Sequence, residues 1–400
     1  MSAWRSAAVA AALAAVVGCS EKLSTPGKCP SLCPSSNVQL ADTLLTTADV
    51  SDTSVRGYVL VREASYLLAS TLDSLRSVIL VQFDKLDTVW YPGSDTAYSG
   101  IQDSVLLSFH INQRDTAVKQ LRLLVYRLPG HLDTAATYAS IQPYFADSQL
   151  VDTIPIPDTL QAGDTLSAKI ADSLPIPAAD SGLVSLGFAI VAAGKTALTL
   201  GSGNLSTVAP SLTYFVEARA PLDSLRHSFA LSPNPGLFVM SPDPSQPTVG
   251  VITLGGIPTA RALVRLSLPK VVLDSNAVVR ATLLLTTTGP VGGFAGDSFY
   301  VIAEPIVRDF GVKSVLWPDS AVSGLVKVAQ GQTGPVGVDI APILRFWGTT
   351  VGDSTPRVLM LRAYPEGSII GEARFFGRAG GANGPQLRVT YVKPYSFGLP

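Results

Sequence analysis

Ala117–Arg127, AVKQLRLLVYR, and Ala277–Thr287, AVVRATLLLTT, align without a gap. In the first, Leu121, Leu123 and Val125 recur at every second position, with Gln120 and Arg122 facing away; in the second, Ala281, Leu283 and Leu285 alternate with Arg280 and Thr282. A period of two belongs to a strand with one buried face. Working outward, SVLLSFHI from Ser104 matches ALVRLSLP from Ala262, LSAKIADSL from Leu166 matches VGVDIAPIL from Val336, and APSLTYFV from Ala209 matches GPQLRVTYV from Gly384. The separation of partners drifts one way, from about 159 to about 175 positions, as loop insertions in a duplicated unit produce.

From residue 41 on, apolar runs of four to eight residues alternate with Pro, Gly, Asp-Ser and Asp-Thr turns, and no long 3.6-residue period appears. Only six of the 30 acidic residues are glutamate, which is turn chemistry and not helix chemistry. The expected fold is all-β: two tandem jelly-roll-like antiparallel β-sandwiches, residues 41–219 and 222–395. A transmembrane β-barrel would alternate over about ten positions per strand, and VILV from Val78 and LLL from Leu283 break that rule.

The 400 residues are 47% hydrophobic and 15% charged, enough apolar content to bury a core and too much for a disordered chain. Lys and Arg number 29 against 30 Asp and Glu, so nothing favours a phosphate-tracking nucleic-acid binder.

Residues 1–18 carry Arg5, an apolar run from Ala7 to Val17 and the small residue Gly18, the pattern of a secretory signal. The run is shorter than the roughly 20 residues needed to span a bilayer. Val16-Val17-Gly18-Cys19 resembles the lipobox of bacterial lipoprotein signal peptides, which implies cleavage after Gly18 and acylation of Cys19. Ser20, in place of the aspartate associated with inner-membrane retention, implies delivery to the outer membrane. Residues 19–40 then form a lipidated tether containing Cys29 and Cys33. An oxidising compartment would let those two pair as a disulfide; free thiols are the alternative, and two thiolates alone fall short of a four-ligand metal site.

The second unit resembles the DNRLRE-type domains, the bacterial β-sandwiches also described as carbohydrate-binding module family 96. The resemblance rests on the order of TLGGIPTARALVRLSLP from Thr253, AVVRATLLLTTT, VGVDIAPILRFWG from Val336 and FFGRAGGANGPQLRVTYV from Phe375. It departs from the family at Gly377-Arg378-Ala379 and at Leu316-Trp317-Pro318. The first unit joins the family through its similarity to the second. What the resemblance implies is a pair of binding sandwiches.

Catalytic constellations are not assembled. Only His110, His131 and His227 exist, widely spaced and without an HExxH arrangement. GDSF from Gly296 looks like an esterase nucleophile block, but no His follows it. Gly194-Lys195-Thr196 ends like a phosphate loop, yet Ala189 stands where its first glycine belongs, so a hairpin turn is expected. GSDTAYSG and QDS are expected to be solvated turns, with structural calcium the alternative, and no other metal or cofactor is expected. Trp90, Tyr91 and Tyr98, in the loop DTVWYPGSDTAYSG, are the candidate ligand-binding residues, because flat rings beside hydroxyls and carboxylates stack on sugars. Trp347 is expected in the core. The reading is a non-enzymatic, lipid-anchored outer-membrane protein of the bacterial cell envelope that binds polysaccharide. The competing reading is a structural or protein-interaction lipoprotein with the sandwiches as spacers.

Overall fold

The short alternating runs fold into strands, and the computed structural model describes residues 40–392 apart from 74, 85–88, 91–96, 99, 171–182, 205–207, 219–225, 235, 243–244, 275–277, 309–315 and 350–354. Residues 41–400 form one compact unit. Its first strands are β1 (Leu40–Leu45), β2 (Val50–Arg56), β3 (Tyr66–Leu72), β4 (Leu75–Asp84), β5 (Val89–Trp90), β6 (Ala97–Tyr98), β7 (Gly100–Arg114) and β8 (Arg122–Arg127). Then come β9 (Leu150–Pro155), β10 (Thr165–Ile170), β11 (Leu183–Val191), β12 (Ala197–Gly201), β13 (Ser211–Ala218), β14 (Arg226–Leu231), β15 (Gly236–Ser241), β16 (Val251–Gly255) and β17 (Ala260–Leu266). The last are β18 (Val278–Thr286), β19 (Ser298–Arg308), β20 (Trp317–Pro318), β21 (Gly324–Ala329), β22 (Pro335–Asp339), β23 (Val358–Tyr364), β24 (Glu372–Phe376) and β25 (Gln386–Val392).

The architecture is all-β, with several antiparallel sheets in a sandwich-type arrangement. In the first half an eleven-stranded sheet runs β14-β13-β7-β12-β3-β4-β11-β8-β9, with β10 beside β7 and β15 beside β4, and curls into a half-barrel. The curl passes through β7. Its residues Val105–His110 pair with β10, while Ile111–Arg114 pair with β12, so one long strand serves two layers. The second half has a four-stranded layer, β1-β25-β18-β22, facing an eight-stranded one, β20-β19-β23-β17-β16-β24, with β2 beside β17 and β21 beside β19.

Each half encloses its own core. The first holds Tyr66, Phe83, Phe109, Leu123, Phe188 and Tyr214; the second holds Leu283, Val301, Val338, Trp347, Leu361 and Phe375. The alternation read from sequence is the packing that results, since Leu121, Leu123 and Val125 are buried, as are Ala281, Leu283 and Leu285. Each such side chain contributes about 1.5–3 kcal/mol by leaving water.

Strand pairing crosses the expected boundary between 41–219 and 222–395 in both directions. β1 and β2 hydrogen-bond into the second half, to β25 and β17, and β14 and β15 into the first, to β13 and β4. Two of the sequence matches also shift by one strand. β10 and β22, and β13 and β25, do take equivalent places, but β7 takes the place of β18, and β8 that of β19. Alternation is common to every half-buried strand, so a gapless match does not say which strand is which. The Gly194–Thr196 turn joins β11 to β12, which pairs with β3 and β7 and not with β11, so it is not a hairpin.

Candidate functional site

Cys19, Cys29, Cys33 and Tyr91 lie outside the described residues. Trp90 and Tyr98 fall in the two-residue ladder β5–β6, whose register sets Val89 opposite Tyr98 and Trp90 opposite Ala97. Gln102-Asp103-Ser104 belongs to β7 and is strand, not a turn. Among the described residues no group of three or more His, Cys, Asp or Glu is placed to hold a metal ion, and no helix is long and apolar enough to cross a membrane. Trp347 ends the helix Ala341–Trp347 and is fully buried.

The surface that stands out is the outward face of the eight-stranded layer. Inward residues of β19 and β23 are Val301, Ala303, Leu359, Leu361 and Ala363, all in the core. The alternate positions therefore face out. Tyr300 of β19 lies directly opposite Tyr364 of β23 on one side and Lys327 of β21 on the other. In the next row Ile302 lies between Leu325 and Arg362. Tyr300 is 40% exposed, Tyr364 49% and Leu325 56%, and across Arg261 and Arg362 on the same face Val55 is exposed too. Single exposed apolar side chains are ordinary; a contiguous group marks an interaction surface.

Two arginines brace this face. Arg362 donates from Nε to Glu304 Oε2 at 3.0 Å and from Nη2 to Oε1 at 2.9 Å, and its guanidinium carbon lies 5.7 Å from the Tyr364 ring centre. The bonds to Glu304 hold the Arg362 guanidinium above its ordinary pKa, against the opposing effect of burial. Arg261 donates to Glu366 at 2.8 and 2.6 Å and stacks 4.3 Å from the ring centre of Tyr58. A forked guanidinium–carboxylate pair fixes both groups in orientation, so the rings sit on a stiff support. Beyond them the face closes: Ile306, Val358 and Met360 are buried with Leu263 and Leu316 against them, and Trp317 is exposed beside Arg308.

The corresponding face of the first half is covered. Residues 128–149 fold back over it and bring Leu128, Leu132, Ile141, Tyr138 and Phe145 onto Val78, Leu80, Ala189, Leu237 and Val239. Gly187 of β11 makes room for this, because a Cβ there would stand 2.7 Å from Phe145 Cζ. Beside β15 a cavity of about 670 Å³ remains, floored by Leu237 and Val239 and walled by Val61, Ala136 and Tyr138.

Tyr300, Arg362 and Tyr364 were not singled out from sequence. Their signal was present in SFYVIAEPIVR and VLMLRAY, where rings and charges occupy alternate positions between core residues. What the pattern could not say is that Tyr300 and Tyr364 stay exposed among the described residues while Ile306, Val358 and Met360, on the same side, are buried.

No family model matches the chain, and no curated protein matches it. Among solved structures, a crystal structure from Parabacteroides distasonis ATCC 8503, named only as that of a candidate secreted protein, aligns over 88% of this chain and all of its own, with 10% identity and a TM-score of 0.24. A likeness at that level carries no argument about fold or function.

Proposed function

We propose that this is an exported, lipid-anchored, non-enzymatic protein of the bacterial cell envelope whose two tandem jelly-roll-like antiparallel β-sandwiches bind a polysaccharide. The observation that carries the reading is the open part of the outer face of the eight-stranded layer, where Tyr300 and Tyr364 stand exposed and paired on braced strands. Rings in a flat row stack on successive sugars, and the adjacent Lys327 and Arg362 supply donors for hydroxyl or carboxylate oxygens. The order of the DNRLRE-like motifs and the lipobox-like Val16–Cys19 support the same reading.

Residues 34–400 should be retarded in affinity gels by at least one envelope or extracellular polysaccharide. Tyr300→Ala with Tyr364→Ala should remove the retardation, and Trp90→Ala reports whether the β5–β6 segment contributes. Retardation by no glycan in a broad panel, with an envelope protein recovered by crosslinking, would favour the spacer reading. Cys19→Ser in the full chain should release it from the membrane fraction; a variant that stays there, with no lipid mass on the wild type, ends the lipoprotein reading.

A further inference from the structure

We infer that each half of the molecule carries a strand-accepting site, and that the opening strand pair of the other half fills it. The two halves are one eleven-strand pattern. Four strands run β14-β13-β7-β10 in the first half and β1-β25-β18-β22 in the second. In the other layer β9-β8-β11-β4 corresponds to β21-β19-β23-β17, with β15 beside β4 and β2 beside β17. From β3 and β16 to β13 and β25 the equivalent strands follow one another in the same chain order, apart from the short ladders β5–β6 and β20. Only the leading pair is traded.

Spacing says the same. β1 and β14 start at Leu40 and Arg226, β2 and β15 at Val50 and Gly236, both about 186 positions apart; β3 and β16, at Tyr66 and Val251, are about 185 apart. The links that follow, residues 57–65 and 242–250, are the same length, so each pair arrives at its acceptor across an equivalent hinge. This is the arrangement that domain swapping produces between copies of a unit, here closed within one chain.

The side chains fit the traded places and not the home ones. β15 puts Phe238 and Met240 into the first core, with the Phe238 ring stacked 6.0 Å from Tyr66, and Leu237 and Val239 beneath the 128–149 cover. The outward side of β2 carries Ser51, Thr53 and Val55, which suits an open face. Returning each pair to its own half would put Leu237 and Val239 in solvent and Ser51 and Thr53 under an apolar cover. Arg56 then bolts β2 in place, donating to Glu372 Oε2 at 2.5 Å, to Pro258 O at 2.9 Å and to Ser245 O at 3.1 Å, while its backbone N–H donates to Gln246 Oε1.

Registers make the exchange testable. Thr53 lies opposite Leu263, and Val239 opposite Val78; in the home arrangement Thr53 would instead lie opposite Val78. All three cysteines precede residue 34, so residues 34–400 are a cysteine-free background. Thr53→Cys with Leu263→Cys should form a disulfide at monomer mass under mild oxidation, and Thr53→Cys with Val78→Cys should not. With a protease site inserted among residues 219–225, the crosslinked chain should stay one species on a non-reducing gel after cutting and fall into two when reduced. The opposite crosslinking preference overturns the exchange, and a Thr53–Leu263 crosslink that appears only at dimer mass overturns its closure within one chain. As a check on variants that fold poorly, the cut chain without cysteines should co-elute as a single particle, and separation of its fragments in native buffer counts against the inference.

Discussion

Two faces of one strand arrangement meet different surroundings in this molecule. In the first half the outward side of β4, β11 and β15 lies beneath residues 128–149, and the strands are apolar on both sides: Val78, Ile79, Leu80 and Val81 are all buried, as are Leu237 to Met240. In the second half the same side is closed over Ile306, Val358 and Met360 but open at Tyr300 and Tyr364, and β17 alternates buried and half-buried residues without interruption. On the central strand Gly187 and Ala189 lie under the cover, their counterparts Val358 and Met360 are buried as well, and only further along does β23 reach the open at Tyr364. A cover demands small or apolar partners, whereas an open face can carry rings and charges that act on something else. The same arrangement therefore supplies a large outer core in the first half and, in the second, a smaller one beside a candidate binding surface.

The comparison breaks at its foundation if the two cores are not equally essential. Leu123→Asp and Leu283→Asp each place an unpaired charge in a fully buried site and should each cost about 4 kcal/mol or more. With the strand pairs exchanged, either variant should abolish a single cooperative unfolding transition seen by calorimetry. Loss of half the transition, with the rest intact, would show that the halves are energetically separate.

Uncovering the first face sharpens the contrast. Phe145→Ala removes a ring that packs 5.0 Å from Tyr126 and should cost about 2–3 kcal/mol, since the ring is only partly buried. Gly187→Val should displace the same ring by crowding, at about 1–3 kcal/mol. Both variants should bind a hydrophobic dye that the wild type does not, and an unchanged melting temperature would mean that the cover contributes no stability.

On the open face the expectation reverses. Tyr364→Ala should leave stability within about 0.5 kcal/mol, because the ring projects from the sheet, yet should weaken polysaccharide retention by about 1–2 kcal/mol. A drop in melting temperature with retention unchanged would make Tyr364 a structural residue.

The smallest effect concerns the contact between the halves. Asp297 accepts from Gln113 Nε2 of β7 at 3.1 and 3.2 Å, and burial raises its pKa despite that bond and the one from the Phe294 N–H. A carboxyl raised on folding is most favourable below its unfolded value of 3.8, and that advantage is lost as pH rises through the folded value. Asp297→Asn should therefore stabilise at pH 7, by about a few tenths of a kcal/mol given the group's partial exposure, and the two melting curves should converge near pH 3–4. A wild type more stable than the variant at pH 7 would mean that the charged form is favoured there.

Much of this contrast was legible before any coordinates. VILV from Val78 and LFVM from Leu237 are unbroken apolar runs, and such runs mark strands buried on both faces. The non-alternation of VILV, one of the two runs that argued against a membrane barrel, is thus the imprint of the 128–149 cover, whereas LLL from Leu283 alternates buried and half-buried residues. Local spacing gives Tyr138 and Phe145 no place, because their partners Val78, Leu80 and Gly187 are distant in sequence. The rings at Tyr300 and Tyr364 read as ordinary outward positions until the neighbouring strands were seen to leave them bare.

By itself the sequence determined strand periodicity, the all-β class and which face of an alternating strand is apolar. These follow from local spacing, because a side chain's face depends only on its parity along the strand. Only the tertiary structure decided which strands are neighbours, which half receives each opening pair and which outward face stays open. Ladder hydrogen bonds join backbones of any sequence, so a strand pair carries no address of its own. The address is set by what covers its outward side, and that cover comes from residues remote in the chain.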